Sequence, residues 1–316
     1  MKVQCESHHC QVAQVPQVLP SEVREMAILK SERHHWWPES VSAFWKNEQG
    51  VVHWLLPDGT ERVAPPKQFG VIGNGHHIKL SADPNEHTVW DESFEKEFDT
   101  ADSNFKYVIQ WLDTLPREHR TGSVARRIIS CSVADERVAL LVEGLVSLAV
   151  RSPMTREAAV SLAERFRGPL EERERNLIIG MNMRNMHRAA VKDIGTRGKF
   201  VALFSPDREF IFGDGFCHNV VSPGGPPMSP KILVPLTPHL SMLYARPMAY
   251  TTEPRFMTLV LGPEEVDFCN RTIQVYAKNA VFYANDRPNV EEAFRSGKHL
   301  QYDLQNPIDR LIGMIP

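Results

Sequence analysis

No stretch of this 316-residue chain is both long and apolar enough to cross a bilayer. The longest apolar run, Val138 to Val150, carries Glu143 and falls short of the ~20 residues a spanning helix needs, so it reads as a buried core helix. A basic start followed by an apolar run is also missing, so neither a signal peptide nor a membrane association is expected. Charge of one sign is lacking: 36 basic and 39 acidic residues leave a net charge of -3, which excludes a global field toward nucleic acid or an anionic surface. The five cysteines (Cys5, Cys10, Cys131, Cys217, Cys269) are odd in number and dispersed, which excludes a disulfide framework and fits a reducing, cytoplasmic compartment. Also absent are a Walker-type phosphate loop, a GxGxxG opening a helix, HExxH, GxSxG and paired CxxC, which argues against nucleotide-driven chemistry and the familiar hydrolase motifs.

What is present is enough to build an ordinary core, with 42% apolar and 9% aromatic residues. Residues 1 to 28 are polar with Val-Pro and Leu-Pro steps, and read as a flexible tail ahead of one α+β domain over 29 to 316. Trp36, Trp37, Trp45 and Trp54 gather early in that domain, beside a β-hairpin predicted from Val51 to Leu56 and Glu61 to Val63 about the turn Pro57-Asp58-Gly59. Helical spacing then dominates. Phe105, Val108, Ile109, Leu112 and Leu115 mark one buried face, and Val124 to about Val150 reads as a second, more fully buried helical region with an interruption near Ser132. Ser152-Pro153 caps a third helix, with Ala159, Leu162, Ala163 and Phe166 as its inner face, and a fourth runs from Glu171 to about Ala190. Near residue 195 the period changes from 3.6 to 2, a change of layer, and strands follow at 200–205, 209–212, 232–235, 240–245, 256–261 and 280–284. A helix from Pro263 and a closing helix at 290–296 complete the expectation: an N-terminal β-hairpin, a helical middle and a C-terminal β-rich portion with a closing helix.

The order of several short motifs resembles the bacterial family known as domain of unknown function 4238. They are His34-His35-Trp36-Trp37-Pro38, then Phe44 and the strand VVHWLLPDG, then IFGDG with Asp214, then Val234-Pro235-Leu236-Thr237-Pro238, and finally Asn270 ahead of AVFYA. The likeness spans roughly residues 30 to 285. It departs where Gly215-Phe216 follows Asp214 in place of a residue-Pro pair. That family has no established activity to carry over, so the resemblance implies a fold and a set of positions.

The chemistry must come from the residues. Asp214 stands between two glycines at a strand end, where a carboxylate can be presented with little steric cover. Cys217-His218-Asn219 fails as a triad because three consecutive side chains diverge, but His218 could join Asp214. His34 and His35 alternate along a strand, so only one can face a given site. His76 and His77 follow the same logic and rank below them. The candidate catalytic set is therefore His34, His35, Asp214 and His218, with His35, Asp214 and His218 as ligands for a divalent metal in a hydrolase acting on a phosphodiester or similar polar bond. Asp91 and Glu95 lie one turn apart on an acidic stretch that otherwise reads as a solvated face, as do Asn182, Arg184, Asn185 and Arg188 on the fourth helix. CESHHC at residues 5–10 holds zinc-type ligands at an unusual spacing. The competing expectation is a non-enzymatic module whose tryptophan cluster and Pro/Gly loop SPGGPPMSP bind a protein or small molecule.

Overall fold

The structure, a computed structural model, describes residues 33–68, 70–73, 75–78, 92–220, 230–246 and 253–297. The tail, the CESHHC segment, Asp91 and most of the Pro/Gly loop lie outside these residues.

The fold is α+β. Strand β1 (Arg33–His35) leads to the short helix α1 (Glu39–Ser42) and then to the expected hairpin, β2 (Val52–Leu55) with β3 (Glu61–Ala64). Gly59 closes the turn at φ 84, a left-handed conformation that glycine adopts without a Cβ clash, and Asp58 Oδ1 accepts the Thr60 N–H at 2.8 Å. Three short strands follow: β4 (Val71–Gly73), β5 (His77–Ile78) and β6 (Glu92–Ser93). A 3-10 turn at Glu95–Phe98 then runs into helix α2 (Asp99–Asp113), which buries Phe105, Val108, Ile109 and Leu112 as their spacing requires.

The next region is interrupted near Ser132 as expected, but the interruption includes a strand: α3 (Val124–Arg127), β7 (Ile129–Cys131) and then α4 (Asp135–Arg151). Val133 and Ala134 carry the chain from strand to helix, and Ile129-Ser130-Cys131 has the β-branched start that an edge strand favours. Helices α5 (Pro153–Arg167) and α6 (Glu172–Ile194) come next, and the Ser152 hydroxyl caps α5 by accepting the Thr155 N–H at 3.3 Å. The inner face of α5 is Met154, Thr155 and Val160, whereas Leu162 and Phe166 are 56% and 80% exposed. The apolar stripe there is wider than the contact with α4 and α6, so its far edge faces outward.

The remaining elements are β8 (Lys199–Phe204), β9 (Phe212–Gly213), β10 (Lys231–Thr237), β11 (Leu240–Ala245), β12 (Phe256–Val260), α7 (Pro263–Tyr276), β13 (Val281–Tyr283) and α8 (Glu292–Arg295). They form a five-stranded sheet in the order β10-β11-β8-β12-β7 and a four-stranded sheet β3-β2-β13-β9. Only β8 and β12 run parallel within the larger sheet. Both sheets combine strands from either side of residue 195: β7 completes the edge of one, and the early hairpin joins β13 and β9 in the other.

The tryptophans make the core between these layers. Trp37 and Trp45 are fully buried and Trp36 nearly so; Trp37 stacks on Phe212 with ring centroids 4.3 Å apart, and Trp45 Nε1 donates to the Leu236 carbonyl at 3.1 Å. Rings of this size bury large apolar area, and burial this complete excludes these three from a recognition surface. No single described helix is long and apolar enough to cross a membrane. α4 and α5 reach that length only together, and they are bent by 54° at their junction.

Candidate metal centre

Asp214 is buried, not presented. Its Oδ1 accepts the Lys278 N–H at 2.7 Å, and its Oδ2 accepts the Asn279 N–H and Asn279 Nδ2, each at 2.9 Å. Burial pushes the carboxyl up from its ordinary range, and these hydrogen bonds pull it back. The flanking glycines serve packing: a Cβ on Gly215 would stand 2.2 Å from the Tyr276 carbonyl oxygen, and one on Gly213 would stand 2.4 Å from that of Gly215. The same device recurs at the other end of the strand pair. Buried Glu209 accepts from Asn285 N and Nδ2 at 2.8 Å and from Asp286 N at 2.9 Å. Two carboxylates thus pin the loops on either side of β13, and Asn270 joins them by donating to the Glu209 carbonyl and accepting the Ile211 N–H.

His218 is apart from both. The Thr155 hydroxyl gives its one proton to the Ala149 carbonyl at 2.6 Å, so it accepts from His218 Nε2 at 3.2 Å. Burial lowers the His218 imidazole to about 4, and the ring is neutral near pH 7. The metal set expected from sequence, His35, Asp214 and His218, is therefore not assembled: Asp214 meets Lys278 and Asn279, His218 meets Thr155 and Phe216, and the two share no contact.

His34 and His35 separate as strand alternation requires. β1 pairs antiparallel with β4, with His34 opposite Ile72 and His35 opposite Val71. His34 is buried, while the His35 carbonyl accepts from Arg151 at 3.4 Å. Facing His34 is the second histidine pair. The His34 and His76 rings lie 4.7 Å apart with a 34° tilt, and the His77 ring meets His34 edge-on at 4.6 Å. The His76 N–H donates to His34 Nδ1 at 3.3 Å, which places the proton of the neutral His34 ring on Nε2. That nitrogen stands 3.5 Å from Glu95 Oε2, whose side chain is 50% exposed.

Among the described residues, His34, His76 and Glu95 form the only group of three metal-type side chains whose ligand atoms all lie within 4.8 Å of one another. His76 Nδ1 is buried without a hydrogen-bond partner. Burial, then the positive charge of Arg151, drives the His76 imidazole down to about 2, so its lone pair stays free of a proton. Two donors on a tetrahedral metal stand roughly 3.3 Å apart. The His34–Glu95 separation of 3.5 Å is close to that distance, and the other separations, within 4.8 Å, need a contraction of up to about 1.5 Å, to which the half-exposed Glu95 side chain can contribute. Two imidazoles and one carboxylate leave coordination positions for water or substrate, the composition of a catalytic rather than a structural centre.

The surrounding chain holds this geometry. β5 pairs with β6, the Phe94 N–H donates to the His76 carbonyl at 3.0 Å, and Glu95 follows at once. Helix α6 approaches β5 at Gly180, where a Cβ would meet Ile78 Cγ1 at 3.0 Å. The acidic and basic stretches read as solvated faces pair with each other, Arg184 with Glu92 at 2.6 Å and Arg188 with Glu97, and so tie this segment to α6. Sequence reasoning ranked His76 low and read Glu95 with its acidic neighbours. The signal that could have found them is the doubling of the His-His pair, because β1–β4 pairing folds the second pair back onto the first.

A separate cavity of about 780 Å³ lies by the far end of α2, lined by Ile109, Arg117, Phe204, Glu209 and His239 among others. The 15-residue helix puts it roughly 20 Å from Glu95. No family model matches the chain, and neither a curated protein nor a solved structure matches it.

Proposed function

We propose that this protein is a metal-dependent hydrolase whose divalent ion is held by His34, His76 and Glu95, acting on a phosphodiester or similar polar bond. The observation that carries the reading is the gathering of three ligand atoms within 4.8 Å of one another, with His76 Nδ1 buried and without a hydrogen-bond partner. A buried polar atom without a partner costs about 1–3 kcal/mol, and a metal ion removes that cost. When bound, such an ion lowers the pKa of its water and polarises the scissile bond. His34 and His76 would anchor it from the protein side, His34 through Nε2 once its proton has moved to Nδ1 and the His76 N–H has been released, and Glu95 would close the site from the solvent side.

The test is hydrolysis of bis(p-nitrophenyl) phosphate before and after chelation. The expected result is zinc- or manganese-dependent turnover that His76→Ala abolishes; turnover indifferent to chelator and to His76→Ala would sink the proposal.

Kinship with the domain of unknown function 4238 family is part of the same reading, supported by motif order and by the use of its positions here: His34 in the centre, Asp214 and Asn270 in the strand clamps. A member structure with the paired histidines turned away from each other would count against it. A cytoplasmic location is proposed on the free thiols of Cys131 and Cys269, and cell fractionation would check it.

A further inference from the structure

The arginines around the histidine cluster are paired, with one exception. Arg151 lies on Asp102 at 2.6 Å, Arg175 bridges Glu157 and Glu164, and Arg184 and Arg188 hold Glu92 and Glu97. Arg156 has no carboxylate partner among the described residues. Among the described residues its one hydrogen bond runs from Nη1 to the Gly75 carbonyl at 3.0 Å, which engages one of its five N–H donors there.

Its position makes this informative. The peptide unit joining Gly75 to His76 is held at both edges, its carbonyl by Arg156 and its N–H by His34 Nδ1. The guanidinium therefore sits one peptide away from the candidate metal ligands, on α5, beside a segment that a bound ion would also fix. It is half-buried, it lies in the first turn of α5 where the helix macrodipole disfavours a cation, and burial together with the charge of Arg175 pulls it down to about 10. An unpaired guanidinium under these penalties is stabilised by an anion, and its planar fork matches a tetrahedral oxyanion with two parallel hydrogen bonds.

We propose that Arg156 is the anion-recognition residue of the His34–His76–Glu95 site and that the substrate is a phosphate ester, bound with its phosphoryl oxygens between the metal and the guanidinium. This rests on the metal-site reading above. A phosphoryl group satisfies both cations at once, whereas a neutral amide or ester would leave Arg156 unpaired.

The experiment is calorimetric titration of inorganic phosphate into the full chain, zinc-loaded and zinc-free, for wild type, Arg156→Gln and Arg156→Lys, with zinc affinity measured separately on each. The expected result is phosphate binding weakened at least 10-fold by Arg156→Gln and less by Arg156→Lys, with zinc affinity unchanged. Phosphate binding by Arg156→Gln equal to wild type, or none by wild type in either form, overturns the proposal. Failure of the metal reading has a different signature: wild type takes up no zinc, while Arg156-dependent phosphate binding persists in the zinc-free protein.

Discussion

Asp214 and His76 are equally buried, and they differ in one respect: every lone pair that Asp214 needs to place is placed, and His76 Nδ1 has nowhere to go. A buried charge that meets two backbone N–H groups and a side-chain amide is doing structural work, because it anchors a loop at the cost of its own hydration. A buried imidazole nitrogen with no partner, in a side chain grouped with a second imidazole and a carboxylate, is suited to coordinating an ion. Burial and residue type alone do not separate the two; hydrogen-bond satisfaction together with the grouping of His34 and Glu95 about His76 does.

The largest effect expected from this contrast is on the clamp. Asp214→Ala strands the Lys278 and Asn279 N–H groups in the interior and should cost about 4 kcal/mol of stability in urea unfolding, with zinc stoichiometry preserved in the folded fraction. A loss below about 1 kcal/mol would mean that the carboxylate is not the anchor described.

Next in size is the acid response. His187 and His218 ordinarily titrate near 6.5, and burial drives each to about 4. The unfolded chain takes up protons between those values that the folded chain refuses, so stability is full above about pH 6.5 and falls as pH drops toward 4, by up to roughly 3 kcal/mol per group. Melting temperatures across that window should show the fall, and His218→Gln should reduce it by about half; a flat wild-type profile would contradict the buried, neutral state of these rings.

The smallest stability effect belongs to Glu95→Gln. At a half-exposed position it should change stability by no more than about 0.5 kcal/mol while weakening zinc binding roughly 10- to 100-fold. The opposite pattern, stability lost and zinc kept, would move Glu95 to the structural side of the contrast.

Much of the architecture was legible in the sequence because it rests on local periodicity. The hairpin about Pro57-Asp58-Gly59, the Ser152-Pro153 helix start and the strands at 199–204, 231–237 and 240–245 stand close to where alternation and turn chemistry put them. β7 was not, since three residues between helical segments carry no readable period. The same limit governs the site. His34 and the alternation of His34 with His35 could be read locally, but the approach of His76 and Glu95 depends on β1–β4 and β5–β6 pairing, which no single segment encodes. Asp214 misled for a related reason: Gly-Asp-Gly signals a tight backbone, and whether the tightness admits a substrate or the C-terminal end of α7 is decided by residues about 60 positions later.

The central claim, that the metal centre is the second histidine pair's meeting with the first and not the Asp214 strand end, reduces to one titration. Zinc binding is measured by calorimetry on wild type, His76→Ala and Asp214→Asn. The account predicts one equivalent lost in His76→Ala and retained in Asp214→Asn. Retention in His76→Ala, or loss in a folded Asp214→Asn, would contradict it.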